Sequence, residues 1–504
     1  MTGPRGIHNQ EWLAYGTLLL GFLLLAWELP AKGLWADELY SIELARQARI
    51  VDAIYGTAAD VHPPLYYLVL WVWMRLAGFN DASARFPSIV CAMLTIALSY
   101  PLGRRLLGRP AALLSALLLS TSPFLVLYSR MARYYAMALL LGTLASWLCV
   151  RMLGGAHSRW LPVGYALTAA ALVYTDYPSA IVLVCHALFA LLAWRRNRPA
   201  VWRIWGGLGA ALLLYLLWIP VLIYQTAYIS GWTPAGFSVG LFGLLFKIGL
   251  PVYSFCLGET TLPWHPVGFL GAALVGLLWL IGARRLLRTR RWQSCFVLTA
   301  FALPFIFIIV FSIVIIYAFP SRVLVAAPFF FLTVAAGIRQ IPSLRWRNLA
   351  LAGLSLAYAF TLGNYYLGRQ FINPTYALST RQIIADLEAA QHEDDVIVSE
   401  RDSGLDFYLE QKGSETTHFV DYAAAKTHIA AAKSQRVWLL SMGRDSTRSE
   451  ETPALIRWLE ERGFQLQWEQ GYTEVDPRYR RLKTRVLGYP AYQYRAILRL
   501  YERP

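Results

Sequence analysis

Two adjacent carboxylates, Asp37 and Glu38, follow the first long apolar run of the chain. Acidic side chains at the end of a membrane span are costly there, so their presence indicates a function. A carboxylate close to a substrate hydroxyl can accept its proton as a general base. The alternative is that the pair caps the short helix that continues through Glu43, because acidic residues favour a helix N-terminus. Both interpretations stay open on these residues alone.

A second polar group, Asp60 and His62, stands directly before Pro63 and Pro64, which rigidify the chain. A histidine in such a place is most often a hydrogen-bonded turn residue. We predict, however, that it lies on the same side of the membrane as the two carboxylates, which favours a role in binding.

The third group comprises Tyr128, Arg130, Arg133 and Tyr134. The last three fall at i, i+3 and i+4, so we predict that they share one side of a helix. An anion bound at the outer surface would explain two arginines there. The alternative is that both side chains reach lipid phosphates.

The fourth group pairs two predicted tight turns, one at Asp176 and the other at Pro320 to Arg322. Aspartate and proline are favoured in turns for their own backbone chemistry. These residues therefore fit either an ordinary turn or an extension of a binding site.

The elements that must position these residues are membrane helices. The 504-residue chain is 57% hydrophobic and only 15% charged, whereas soluble domains carry roughly 25% charged residues. Its net charge of +16 comes from short basic clusters between apolar runs, as in cytoplasmic loops, and no nucleic-acid module is visible. The five cysteines are irregularly spaced and indicate neither a disulfide nor a metal framework.

Apolar runs long enough to cross a bilayer predict about eleven transmembrane helices. They lie near 12–30, 85–102, 111–128, 134–152, 161–176, 178–194, 204–224, 266–283, 294–316, 322–338 and 347–367. The first has no cleavage signature, so we predict an uncleaved span. Arginine clusters occupy alternate loops, which are therefore predicted to be cytoplasmic, and the four polar groups share the outer face. Prolines in turns such as Tyr317-Ala318-Phe319-Pro320 are expected where helices stop.

One apolar segment, 64–77, is too short for a span and rich in tyrosine and tryptophan. Aromatic side chains suit the membrane interface, so we predict an outer juxtamembrane or re-entrant helix there.

From about residue 370 the composition becomes that of a soluble domain. The pattern predicts helices over 376–391 and 453–462, and strands near 395–399, 436–440, 464–468 and 494–501. We therefore divide the chain into a membrane module, 1–369, and a small extracytoplasmic α/β domain, 370–504. The latter contains no glycine-rich phosphate loop or nucleophile elbow.

The ordered motifs resemble those of the bacterial GT-C glycosyltransferases, which belong with the protein O-mannosyltransferase and aminoarabinose transferase superfamily. The motifs are Asp37-Glu38, His62-Pro63-Pro64-Leu65-Tyr66-Tyr67, Ala84-Arg85-Phe86-Pro87-Ser88, Tyr128-Ser129 with Ala132-Arg133 and Tyr135-Ala136, and Tyr174-Thr175-Asp176-Tyr177. The resemblance covers about the first 200 residues. Relatives often carry Gln-Glu where this chain has Arg130-Met131, and many carry His in place of Asp176, so donor contacts are expected to differ.

The resemblance implies the GT-C fold and an inverting transfer of a sugar from a polyprenyl phosphate to an acceptor hydroxyl. The donor is presented from the outer leaflet of the bacterial cytoplasmic membrane, and the C-terminal domain is periplasmic or extracellular. The acceptor is a glycan, a lipid or a protein. The expected catalytic residues are Asp37, as the general base, and Glu38, which orients the acceptor or contacts donor hydroxyls. The expected substrate-binding residues are Asp60, His62, Tyr66, Tyr128, Arg130, Arg133, Tyr134, Asp176 and Arg322.

The sequence identifies no cofactor, and the need for a divalent metal ion stays open. Two other functions use the same charges. A transporter or flippase of lipid-linked sugars would line a path with them, but no repeat is visible and the polar groups cluster on one side. A polymerase of lipid-linked glycans would take a diphosphate-linked oligosaccharide as its donor.

Overall fold

The computed structural model describes residues 4–230, 241–314, 320–377, 380–400, 403–413, 416–432, 434–441, 451–472, 476–478, 481–482, 485 and 496–503. The predicted turn at 317–319 and the first residues of the last predicted strand lie outside these ranges. The described chain forms two compact units. The membrane unit comprises Met1–Trp27, Ser41–Phe79 and Ser83–Leu367, and the C-terminal unit comprises Glu28–Tyr40, Asn80–Ala82 and Gly368–Pro504.

Helices occupy most of the chain before residue 367. They are α1 (Pro4–Ala26), α2 (Ala36–Arg46), α3 (Ile50–Ala58), α4 (Leu65–Ala77), α5 (Asp81–Leu107), α6 (Arg109–Ser120), α7 (Pro123–Ser129), α8 (Tyr135–Leu153), α9 (Trp160–Val173), α10 (Ile181–Leu192), α11 (Arg198–Tyr215), α12 (Ile219–Ser230), α13 (Leu241–Leu257), α14 (Pro266–Thr289), α15 (Trp292–Val314), α16 (Ala327–Ile338) and α17 (Leu344–Tyr366). A 3₁₀ turn, Pro320–Ala326, leads into α16.

Within the described residues, seven helices are long and apolar enough to cross a membrane, or eight if a bent pair counts as one span. They are Glu11–Ala31, Asp81–Leu107, Tyr135–Leu153, Arg198–Ala227, Pro266–Thr289, Trp292–Val310 and Pro320–Ile338. The bent pair, Arg109–Ser120 with Pro123–Ser129, turns by 55°. Two of the predicted runs, 161–176 and 178–194, form shorter apolar helices. The chain is thus a multi-pass membrane protein, and the count of eleven stays a prediction.

The bend between α6 and α7 follows from local sequence. Pro123 occupies the first turn of α7, where its missing N–H costs nothing. Ser122 caps that turn by accepting a hydrogen bond from the amide of Leu125. The chain therefore stops one helix and starts another, and α7 ends at Ser129, where the third polar group begins.

Helices α14 and α16 cross with their backbones in contact. A Cβ added at Gly282 would collide with the carbonyl of Thr333, and one at Gly337 would collide with the carbonyl of Leu278. Small residues at a crossing let membrane helices approach closely and gain van der Waals contact. This crossing therefore requires glycine on both helices.

Helix α4 is the short aromatic segment. Tyr66, Tyr67, Leu70 and Met74 are all buried and recur with helical spacing. Tyr66 and Tyr67 therefore lie on the packed face of α4, and the outer juxtamembrane or re-entrant placement of this helix stays a prediction.

The C-terminal unit contains a five-stranded mixed sheet in the order β2-β1-β3-β5-β4. Its elements are α18 (Thr380–Ala390), β1 (Val396–Ser399), α19 (Leu405–Lys412), β2 (Thr417–Phe419), α20 (Tyr422–Ala432), β3 (Arg436–Ser441), α21 (Glu451–Glu460), β4 (Gln465–Gly471) and β5 (Ile497–Glu502). Strands β1, β2 and β3 are parallel, whereas β5 is antiparallel to β3 and β4. The predicted α/β organisation is confirmed.

Candidate functional site

Arg133 lies in the irregular segment between α7 and α8, where neither it nor Arg130 has a helical conformation. The prediction that Arg130, Arg133 and Tyr134 share one helix face is therefore wrong. The physical reason is that α7 ends at Ser129 and α8 starts at Tyr135, so the turn between them directs the two arginines to different neighbours.

Arg133 is buried, with 2% of its surface exposed. Its Nη1 donates hydrogen bonds to Ser41 Oγ at 3.3 Å and to Tyr67 OH at 3.1 Å. Its Nη2 lies 3.0 Å from His62 Nε2. A guanidinium can only donate, so His62 Nε2 accepts this bond and the neutral ring carries its proton on Nδ1. Arg133 and His62, distant in sequence, thus form one pair.

His62 is kept neutral by its surroundings. Burial lowers the pKa of His62 well below its ordinary value of 6.5, and the charges of Arg133 and Arg322 lower it further. Gln225 of α12 holds the turn by donating from Nε2 to the carbonyls of Thr57, at 2.8 Å, and of His62, at 3.4 Å. Gln225 is a site-supporting residue that sequence reasoning missed, since one glutamine in an apolar helix forms no motif.

Tyr134 joins this pair to the fourth polar group. Its ring centre lies 4.9 Å from that of His62, and the guanidinium carbons of Arg133 and Arg322 lie 5.1 and 5.6 Å from it. Burial raises the pKa of Tyr134 well above its ordinary value, so its hydroxyl stays protonated.

Asp176 and Arg322 form an ion pair, with Arg322 Nη1 3.1 Å from Asp176 Oδ1. The other carboxylate oxygen of Asp176 accepts hydrogen bonds from the amide and the hydroxyl of Ser179. The Arg322 side chain is 22% exposed and that of Asp176 only 4%. These two residues therefore do more than form turns. We call Ser41, His62, Tyr67, Arg133, Tyr134, Asp176 and Arg322 the Arg133 cluster.

Arg130 points away from this cluster. Its Nη1 donates to the carbonyls of Leu24, Leu25 and Trp27 at 3.2, 2.9 and 2.6 Å, and its Nε donates to Tyr365 OH at 3.0 Å. The last carbonyls of a helix have no partner within the helix, so Arg130 satisfies the end of α1. These contacts favour a structural role over the expected substrate contact.

Tyr128, expected to bind substrate, donates its hydroxyl to Glu259 Oε1 at 2.6 Å, and both residues are buried. Burial raises the pKa of Glu259 to about 7, although the hydrogen bond from Tyr128 opposes the shift. Glu259 was missed by sequence reasoning. The available signal was a lone acid after Gly258, between an apolar helix and a membrane span.

The two remaining binding candidates have different surroundings. Asp60 is half-buried in the turn before His62, and its amide donates to the carbonyl of Thr57. Tyr66 is buried in the first turn of α4, with its ring against Tyr67 at a centroid distance of 5.6 Å.

Asp37 and Glu38 lie in the first turn of α2, in the part of that helix that belongs to the C-terminal unit. Glu38 is buried, and its Oε2 accepts a hydrogen bond from the amide of Trp35 at 3.3 Å. This is the return half of a capping box, since Trp35 precedes the helix by one residue. Asp37 is half-buried. Glu38 thus makes a capping contact, and its expected catalytic role stays a prediction. Among the described residues, no group of three or more His, Cys, Asp or Glu side chains could hold a metal ion.

Residues 61–224 match the family described as dolichyl-phosphate-mannose-protein mannosyltransferase. The crystal structure of ArnT from Cupriavidus metallidurans in the apo state is similar over 98% of both chains, with 13% identity and a TM-score of 0.56. The same protein bound to undecaprenyl phosphate is similar over 97% of both chains, with 14% identity and a TM-score of 0.53. At such identity the likeness establishes a common fold. No curated protein matches this chain in sequence.

Proposed function

We propose that this chain belongs to the GT-C class of integral-membrane glycosyltransferases. It has the fold of that class, and its residues 61–224 match a mannosyltransferase family. On that premise it moves a hexosyl or pentosyl group from a polyprenyl-phosphate donor to an acceptor hydroxyl, with inversion. The acceptor is a glycan, a lipid or a protein of the cell envelope. The reaction takes place on the outer face of the cytoplasmic membrane.

The Arg133 cluster carries this proposal. A single displacement makes polyprenyl phosphate the leaving group, so the negative charge on its oxygens grows as the sugar departs. Buried cations stabilise such charge far better than exposed ones, because water is excluded. Arg322 is the more exposed of the two arginines, and we assign it the direct contact with the phosphate. Arg133 stands behind it and supplies charge and planar donors.

His62 contributes in its neutral form. Its Nε2 accepts from Arg133 and thereby fixes the plane of the guanidinium. Because burial keeps the ring neutral, His62 adds no third positive charge, and the two arginines can remain close to Asp176 and Tyr134. We therefore propose that His62 orients Arg133 and does not protonate the leaving group.

Asp37 is our proposed base. It accepts the proton of the acceptor hydroxyl, whose oxygen attacks the anomeric carbon from the face opposite the phosphate, and the bond between that carbon and the phosphate oxygen breaks. One displacement of this kind inverts the configuration. We propose that Glu38, which accepts from the amide of Trp35, fixes the start of α2, with Asp37 one residue before it. The C-terminal domain, residues 370–504 in this proposal, assists acceptor recognition or stability and contributes no catalytic group.

Asp37→Asn tests the proposal, because asparagine keeps the size and the capping ability of aspartate but cannot take a proton. Purified protein is assayed with a polyprenyl-phosphate sugar and a panel of acceptors. We expect turnover to fall by about 10²–10⁴-fold, the usual contribution of a general base, with unchanged donor binding. The matched control is Asp52→Asn, since Asp52 lies on α3 and is paired with the exposed Arg49 that precedes this helix. Normal turnover in Asp37→Asn would leave the mechanism without its base.

A further inference from the structure

The segment 28–40, which carries Asp37, is packed within the C-terminal unit. The amide of Leu34 donates to the hydroxyl of Tyr408 on α19 at 2.9 Å. One residue later, the rings of Trp35 and Tyr376 form a T-shaped contact at a centroid distance of 5.0 Å. Tyr376 and Tyr408, which are distant in sequence, therefore contact the residues that directly precede α2.

Tyr408 is itself held in place. It is 4% exposed, and its hydroxyl lies 3.4 Å from Asp81 Oδ2. Asp81 is buried and forms a bidentate pair with Arg381, whose Nη2 lies 2.9 Å from Oδ1 and whose Nε lies 3.2 Å from Oδ2. Asp81 can only accept here, so the Tyr408 proton points to Asp81 and the lone pairs of the oxygen receive the Leu34 amide. Arg381, Asp81, Tyr408 and Leu34 thus form one directed chain of hydrogen bonds.

Two glycines allow the segment to lie this close. A Cβ on Gly404, whose φ is +68°, would come within 2.6 Å of Leu39 Cδ1. A Cβ on Gly33 would lie 2.5 Å from Thr380 Oγ1. The segment is therefore in close contact at both ends, before and after Leu34. A hydrogen bond to Leu34 in such tightly packed surroundings restricts movement of the segment, because there is no empty space beside it into which the backbone could shift.

We infer that Tyr408, oriented by the Asp81–Arg381 pair, is a positioning residue that sets the start of α2 and hence the place of Asp37. This inference rests on the proposed role of Asp37. Leu34 precedes the helix by two residues and Asp37 is its second residue, so a shift at Leu34 moves the base directly. A displacement of about 1 Å at a reacting group can cost roughly a hundredfold in rate.

Tyr408→Phe removes the hydroxyl and leaves the ring. We expect amide hydrogen exchange in peptides covering residues 30–40 to accelerate at least fivefold. With a polyprenyl-phosphate sugar as donor, kcat should fall about ten- to a hundredfold, while the KM for the donor stays within twofold. The matched control is Tyr472→Phe, which removes a hydroxyl that donates to Asp386 at 2.7 Å in the same unit and should change neither readout.

Asp81→Asn is the second variant. It keeps the Tyr408 hydroxyl but weakens the ion pair that orients it, so exchange and kcat should change in the same direction by a smaller factor. Unchanged exchange at residues 30–40 in Tyr408→Phe overturns the inference, and so does faster exchange with normal kcat. If wild-type protein transfers no sugar from any polyprenyl phosphate, the proposed function fails. The exchange measurement, which needs no activity, then still decides whether Tyr408 holds the segment.

Discussion

At the scale of single residues, the main feature is that Arg130 and Arg133, three residues apart, make different kinds of contact. Arg130 satisfies the carbonyl end of α1, whereas Arg133 bonds neutral groups from α2, α4 and the turn at His62. Sequence spacing assigned both to one surface. Contacts distinguish a helix cap from a candidate phosphate-binding cation.

Arg133→Lys should weaken donor binding by at least about tenfold. Lysine keeps the charge but loses the planar fork, so it cannot bond Ser41, Tyr67 and His62 together. The measurement is the Kd of a polyprenyl-phosphate sugar or of polyprenyl phosphate alone. Arg49→Lys is the control, because Arg49 forms an exposed pair with Asp52. Donor affinity equal to wild type in the Arg133 variant would remove this residue from the phosphate site.

Glu259 should make stability depend on pH. The pKa of this acid rises from 4.5 unfolded to about 7 folded, so the folded state binds the proton more tightly. Stability therefore falls as the pH rises between these values, by about 3 kcal/mol in full. Glu259→Gln still accepts from Tyr128 but cannot titrate.

Unfolding of both proteins in detergent between pH 5 and 8 checks this. We expect wild type to lose stability relative to Glu259→Gln over the interval, with Glu43→Gln, on the exposed face of α2, behaving as wild type. Parallel curves for wild type and Glu259→Gln would contradict the prediction.

Sequence reasoning identified the residue types of the site better than their arrangement. His62, Arg133, Tyr134, Asp176 and Arg322 were selected from three separate polar groups, and the structure brings them together. The prediction that Arg130 and Arg133 share a helix face was wrong, because periodicity does not reveal that α7 ends after seven residues. Glu259 was missed because its only sequence signal is that of a lone acid near a span, and its partner Tyr128 is 131 residues away.

At the scale of elements, the helices were the most predictable part of the chain. In a bilayer every backbone group must be satisfied within its own segment, so a long apolar run has little choice but to be helical. The apolar runs do not show where a helix is interrupted. The 55° bend between α6 and α7 depends on one capping serine and one proline.

The α14–α16 crossing leads to an element-scale prediction. Gly282→Ala should lower thermal stability strongly, because the added methyl meets backbone of α16, which cannot rotate away. Gly276→Ala lies on the same helix, with nothing within 4 Å of the added Cβ, and should be neutral or slightly stabilising. Melting temperatures in one detergent compare the two. Equal melting temperatures would show that the crossing adapts at little cost.

At the scale of the whole molecule, orientation in the membrane is the prediction that matters most. Glu43 and Gln411 are exposed and are predicted to face outward, so cysteines placed there should react with an impermeant thiol reagent on intact spheroplasts. A cysteine placed at Arg291, which is exposed between the spans Pro266–Thr289 and Trp292–Val310, should react only after lysis. Labelling in the opposite order would show that the orientation in the membrane is the reverse of the one predicted. Arg133 is a poor probe position, because it is buried.

The composition of the C-terminal unit has a consequence for biosynthesis. A ribosome makes Leu34 and Asp81 early, but Tyr408 follows Leu34 by 374 residues. A chain interrupted before that point can already insert most of its apolar helices, but it lacks Tyr408, which contacts the residues preceding α2. If Tyr408 has the positioning role inferred above, an unfinished chain should transfer sugar at least about ten- to a hundredfold more slowly than the complete chain, because the start of α2 and Asp37 are not yet held in place.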